Sequence, residues 1–279
     1  NYVPFERQAA EMMAAGQPVS RLLITTWMKN IANALAPFAE AIRSAALNAS
    51  ILSCANRPIR TKSGGARRLW IYEGNAEILP APATLRSFKL VWFRATPDRI
   101  GAYARRDLAG FKGILQASPT DGYDGFGNDA GITVFGCWRQ IARQAQELAR
   151  TTEHPVMIAM LRDIDRLNAI EKELSHLASP QRAEARQRRS APVLVQMRAW
   201  LEEASRDTFP TSRLRSFLTD ILGRWSTLNL FVSNGALEMN GDVTERRLER
   251  LIYGDPSVFT WHRNADDWSA TIYTILETC

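Results

Sequence analysis

The 279-residue sequence predicts an α/β fold, a mixed sheet assembled early in the chain and joined to a long block of helices. Two patterns and the composition carry that reading. Short runs rich in β-branched and aromatic residues cluster between 50 and 137, and amphipathic helical patterns fill 155–225. Apolar residues make up 46% of the chain and charged residues 23%, an ordinary globular balance. A chain of this length buries a core without disulfides or metals.

Taken in order, Phe5–Ala15 favours a helix that stops at Gly16. Ser20 is placed to N-cap a second short helix, with Ile24, Trp27, Met28 and Ile31 on one face. The break at Gly16-Gln17-Pro18 makes the pair helix-turn-helix-like. Ile51–Ile59, Arg68–Tyr72 and Phe88–Ala95 read as three antiparallel strands, punctuated by Lys62-Ser63-Gly64-Gly65 and Pro80-Ala81-Pro82. A helix over about Arg99–Ala109 precedes a fourth strand, Phe111–Ala117, and a polar turn. Gly131–Cys137 is a fifth strand that runs into the helix Trp138–Thr151. Helices are expected over Met157–Leu177, Gln181–Glu203 and Ser212–Asn229, with Glu171, Glu173, Arg182, Glu184, Arg186, Arg188 and Arg189 on solvated faces. Leu237-Glu238-Met239 reads as extended, Asp242–Leu251 as a helix, and Ser269–Glu277 as a closing helix or strand-like tail.

This order matches a ribonuclease-H-like mixed sheet with an all-helical insertion and an N-terminal helical segment. It divides the chain into a helix-turn-helix-like segment (1–48), a first part of the core (49–152), a helical insertion (153–228) and a closing part (229–279). Such a fold sets carboxylates on its first and fourth strands and on a late helix, where they hold two divalent metals for in-line attack on phosphodiesters.

The net charge of +6 and a pI near 9.5 favour a polyanionic partner, nucleic acid first. Eight Trp fill a core more often than they stack on bases. Three widely spaced Cys, at 54, 137 and 279, form no C-x-x-C pair, which suits a reducing cytoplasm and supports neither a zinc knuckle nor a redox motif. His154, His176 and His262 make no metal-ligand spacing, and no phosphate-binding glycine motif occurs. No apolar run is long enough for a membrane span. The start at Asn1, inside a helical pattern, reads as a fragment.

Several local patterns together resemble one family over essentially the whole chain. They are Tyr2-Val3-Pro4-Phe5-Glu6-Arg7-Gln8; Val19-Ser20-Arg21 with Ile24-Thr25-Thr26-Trp27; Arg68-Leu69-Trp70-Ile71-Tyr72; Leu108 to Gln116 followed by Asp121-Gly122-Tyr123; Cys137-Trp138; Arg186-Gln187 with Ser190 and Pro192; Leu237-Glu238 with Glu245-Arg246; and Tyr273 to Thr278. This resembles the insertion-sequence-sixty-six type of DDE transposase, also called TnpC-type. The resemblance implies a Mg²⁺-dependent enzyme that cuts and joins double-stranded DNA at element ends, with Ser20, Arg21, Thr25, Thr26 and Arg246 toward DNA. A homo-oligomer is a further implied partner.

The resemblance also assigns Asp121 and Glu245 as the second and third catalytic, metal-binding acids, with Asp124 a nearby substitute. The first acid falls at Ala55 and its acidic neighbour at Asn56, which offers only a neutral oxygen. Arg57 adds a cation that opposes Mg²⁺ binding, by several kcal/mol for charges ~6 Å apart at an effective dielectric of ~20. The family's His after Cys-Trp is Gln140, Glu249 stands where a basic residue is usual, and its basic loop is Gly254-Asp255-Pro256-Ser257. The expected function is therefore a catalytically impaired, at most DNA-binding, transposase relative. Two alternatives stay open at this level: an active two-metal enzyme using a displaced carboxylate, and a protein-interaction scaffold.

Overall fold

The computed structural model describes residues 5–60, 66–76, 88–98, 101–117, 123, 126, 131–152, 154–209, 212–253 and 266–278. Two compact units emerge, one from residues 1–133 with 243–279 and one from 134–242.

The first unit opens with α1 (Phe5–Ala14) and α2 (Arg21–Ala46). Ser20 caps α2, its hydroxyl accepting from the Leu23 N–H. The second helix is not short: α2 runs 26 residues and carries Pro37 inside it. Its buried side is lined by Ile24, Thr25, Ala32, Ala39 and Ala46. The expected apolar face is therefore split, with Ile24 inward and Trp27 and Ile31 about half exposed. Hydrophobic spacing marks two adjacent stripes on this helix, and only packing chooses between them.

β1 (Ile51–Arg60), β2 (Ala66–Ala76) and β3 (Phe88–Thr96) follow, then α3 (Gly101–Asp107), β4 (Gly113–Gln116) and β5 (Ile132–Phe135). The sheet order is β3-β2-β1-β4-β5. β1 pairs antiparallel with β2 and β2 with β3, whereas β4 lies parallel to β1 with Ser53 opposite Gln116. The mixed α/β sheet is as expected. Gly113 lets β4 start against β1: its φ is +148°, and a Cβ there would lie 2.5 Å from the Ser50 carbonyl oxygen. That carbonyl accepts from the Ile114 N–H at 2.9 Å.

Side chains alternate across β1. On one face Ala55 and Ile59 join Leu69, Ile71, Val91 and Phe93 under Leu248, Leu251 and Ile252 of α10 (Asp242–Tyr253) and Tyr273 of α11 (Asp266–Thr278). The tail is thus a helix, and it closes the sheet. Thr278 Oγ1 accepts from the Val91 N–H and donates to its carbonyl, both at 3.1 Å. Thr274 Oγ1 accepts from the Phe93 N–H at 3.0 Å and donates to the Ala270 carbonyl at 2.8 Å. Two threonines so satisfy edge groups of β3 that would otherwise invite another strand. Thr274→Val keeps the shape but strands a buried N–H, so it should lower the unfolding free energy by about 1–3 kcal/mol. Urea denaturation checks this, and an unchanged midpoint would count against the edge-sealing role.

The second unit comprises α4 (Trp138–Thr152), α5 (Pro155–Leu174), α6 (Ser179–Asp207), α7 (Arg213–Gly223), α8 (Trp225–Leu228) and α9 (Leu230–Ser233). The single helix expected over 212–229 is broken, with Arg224 and Asn229 leaving helical geometry. No strand forms at Leu237-Glu238-Met239; turns and bends replace it. Trp138 is fully buried, donates its indole N–H to the Leu228 carbonyl at 2.9 Å and meets Trp225 edge-on at 5.8 Å. These rings, like Trp70 in the first unit, fill the core.

One expectation fails clearly here. Arg186 is not on a solvated face but 1% exposed. It forks onto Glu171, Nη2–Oε2 at 2.5 Å and Nε–Oε1 at 2.8 Å, and its Nη1 donates to the Phe231 and Asn234 carbonyls. Gln187 reaches the Val232 carbonyl at 3.3 Å. A charge run reads as solvated until a partner on another helix is known; the fork geometry of arginine makes such burial possible.

Candidate active site

β1 and α10, 188 residues apart at their contact, bring the site together. Leu248, Leu251 and Ile252 press α10 onto the sheet. That leaves Glu245 and Glu249, one turn apart, facing β1 across from Arg57. Arg57 Nη2 donates to Glu245 Oε2 at 3.1 Å and to Glu249 Oε1 at 3.2 Å. The side chains of Arg57 and Glu245 are largely buried and that of Glu249 is partly exposed. Two like charges at i and i+4 repel on a helix. A shared guanidinium turns that repulsion into a bridge, and charge-assisted hydrogen bonds of this kind are the strong ones.

Ala55 shares the Arg57 face of β1, but its methyl is packed among apolar side chains. Beside it, Ser53 Oγ donates to Gln116 Oε1 at 3.3 Å, linking β1 to the end of β4. Asn56 corrects the sequence reading. It points to the opposite face, fully buried, where its Oδ1 accepts from Arg68 Nη1 at 2.6 Å. Strand alternation keeps it from offering an oxygen toward Glu245. Asp121, Asp124, residues 62–65, His262 and residues 254–257 lie outside the described residues.

The described residues do not fit a divalent cation. Mg²⁺ asks for oxygen ligands in near-octahedral array. Ala55 presents only a methyl group, packed among apolar side chains, and the Arg57 guanidinium is bonded to both Glu245 and Glu249. Among the described residues no group of three or more His, Cys, Asp or Glu is placed to hold a metal.

At the start of α2, Thr25 is buried and donates its hydroxyl to the Arg21 carbonyl, and exposed Thr26 does the same to Leu22, each at 2.9 Å. Arg21 Nη1 meets Glu6 at 2.7 Å. Arg246 is exposed on α10, while neighbouring Arg247 turns to Glu277 at 2.8 Å.

On the Asn56 face lies a buried group that spacing did not reveal. Asp107, at the end of α3, accepts from the Tyr72 hydroxyl at 3.3 Å and has Arg94 Nε 3.2 Å away. Burial raises its carboxyl to about 7, against the pull of Arg106, Tyr72 and Arg43. Burial likewise pushes the Cys54 thiol and the Tyr72 hydroxyl up. For a carboxyl whose folded value is raised, the folded state holds the extra proton, so its stabilising contribution is complete below the ordinary value near 4 and is lost as pH rises through about 7. Asp107→Asn should therefore flatten the fall in stability between about pH 4 and pH 7, read by denaturation at each pH. A variant with the wild-type slope would remove Asp107 as the cause.

With this geometry in place, likeness to known proteins becomes informative. A family model described as Transposase IS66 family matches residues 1–264. The chain belongs to that family. Relatives of this IS66 family member include the uncharacterized proteins y4qI and y4jD of Sinorhizobium fredii. The first is 24% identical over 99% of this chain and 53% of its own length. The second is 25% identical over 90% of this chain and 50% of its own. The chain thus spans about half the length of these curated relatives. No solved structure matches.

Proposed function

We propose that this chain is the DNA-binding remnant of a transposase whose cutting centre is disabled. One observation carries the reading: the Arg57 guanidinium bridges Glu245 and Glu249 beside Ala55, where the family's chemistry calls for a first carboxylate and a metal. The sheet order β3-β2-β1-β4-β5, with β1 and β4 parallel, supports a ribonuclease-H-like core. In such a core Asp121 and Glu245 are the two acids retained, and Mg²⁺ is the metal an intact site would take.

Family membership and the net charge of +6 support double-stranded DNA as the partner, met in the cytoplasm. In the N-terminal segment Ser20 and Thr25 serve the fold, so DNA contact there falls to Arg21 and Thr26, with Arg246 on α10. Among the described residues no helix is long and apolar enough to cross a membrane.

The test is incubation of the chain with a labelled duplex carrying an element end, in Mg²⁺ and in Mn²⁺. The expected result is a mobility shift that weakens steeply with salt, without nicked product. Cleavage abolished by Glu245→Ala would overturn the disabled centre in favour of an active enzyme. Neither a shift nor a cut would favour a protein scaffold.

A further inference from the structure

Beside the buried stripe of α2 runs a second apolar stripe that extends over most of the helix. Counted along the helix it runs Leu23, Trp27, Ile31, Ala34, Phe38 and Ile42, in steps of four, four, three, four and four. At 3.6 residues per turn these six fall within an arc of roughly 100°. Trp27, Ile31 and Phe38 are 45%, 47% and 63% exposed, and Leu23 39%. The row contains no charge; Thr26, Lys29, Asn33, Glu40 and Ser44 lie around the other flank. Ile158 on α5 and Val195 on α6 are also exposed, but neither belongs to this row.

We propose that this stripe docks the same stripe of a second copy of the chain, antiparallel, about a two-fold axis passing between Ile31 and Ala34. The spacing is the argument for a copy rather than an unrelated partner. It reads the same from either end, so an isologous pairing sets Trp27 against the partner's Phe38, Ile31 against the partner's Ala34 and Leu23 against the partner's Ile42. Large side chains meet small ones at the centre and rings meet at the flanks. No like charges face each other, and antiparallel helices oppose their dipoles favourably.

The area is sufficient. Large side chains expose up to about 150–250 Å² each when fully bared, so the four exposed ones leave roughly 400 Å² on one copy. That equals the largest apolar patch of an ordinary monomer. A two-fold doubles it, and flanking Ala41 and Ala45 with the polar rim bring the pair to about 1,000 Å², where specific interfaces begin. Interfaces at that lower end are commonly weak or transient, so association is sought at micromolar concentrations.

Sedimentation velocity on the whole chain without DNA, from about 1 to 100 µM, tests this over the range in which a micromolar dimer assembles. The wild type should shift from monomer to dimer. Trp27→Glu and Phe38→Glu, each at an exposed position, should weaken the dimer at least tenfold, while Val195→Glu leaves it unchanged. Circular dichroism confirms that the variants keep their helices. A wild type that stays monomeric throughout overturns the proposal, as does a dimer that both α2 variants leave intact. Because the readout involves no DNA, it stands or falls apart from the DNA-binding reading.

Discussion

Arg57→Met should lower the unfolding free energy by about 2 kcal/mol and make the protein responsive to Mn²⁺. Methionine keeps the buried stem but removes the guanidinium. Glu245 and Glu249 then face each other one helical turn apart with their shared cation gone. A hydrogen bond to a charged group contributes roughly 1.5–3 kcal/mol, and the partial exposure of Glu249 reduces the combined effect of two such bonds. The same change leaves paired carboxylate oxygens that a hard divalent cation can satisfy. Millimolar Mn²⁺ should raise the urea midpoint of the variant and leave that of the wild type in place. If Mn²⁺ stabilises both equally, the guanidinium is not what keeps a cation out.

Arg186→Met should cost more, about 3–5 kcal/mol, and should loosen the helical unit 134–242 first. Arg186 satisfies Glu171 with two hydrogen bonds and two main-chain carbonyls besides, and its guanidinium lies 5.3 Å over the Phe231 ring. Removing one member of a buried pair strands the other in a medium of low dielectric, which is the expensive way to break it. Adding Glu171→Met should recover part of the loss, since no uncompensated charge then remains. Denaturation of the single and double variants measures both steps. A cost below about 1 kcal/mol would make the pair a surface ornament rather than a core element.

The site was half legible before any coordinates. The family resemblance marks Ala55 as the place of the absent acid, and Arg57 announces an adverse charge by identity alone. What could not be read was that Arg57 reaches α10, because nothing local connects residues 188 positions apart. Asn56 shows the same limit in reverse: adjacency in sequence suggests a shared site, and the two-residue period of the strand puts it on the other face. Asp107 gave no signal, since a helix-terminal Asp next to Arg106 looks solvated. Its raised carboxyl comes from burial beside Tyr72.

Element type and order were written in local chemistry. β-branched runs, Gly and Pro punctuation and the Ser20 cap act within a few residues, so the five strands, the capped helix and the long helical block follow from the chain alone. Pairing and facing do not. Whether the tail becomes a strand or a helix sealing β3, which stripe of α2 turns inward, and whether Arg186 meets water or Glu171 depend on surfaces that meet only after folding. At those positions the free energy lies in contacts between distant segments, and the tertiary structure makes the choice.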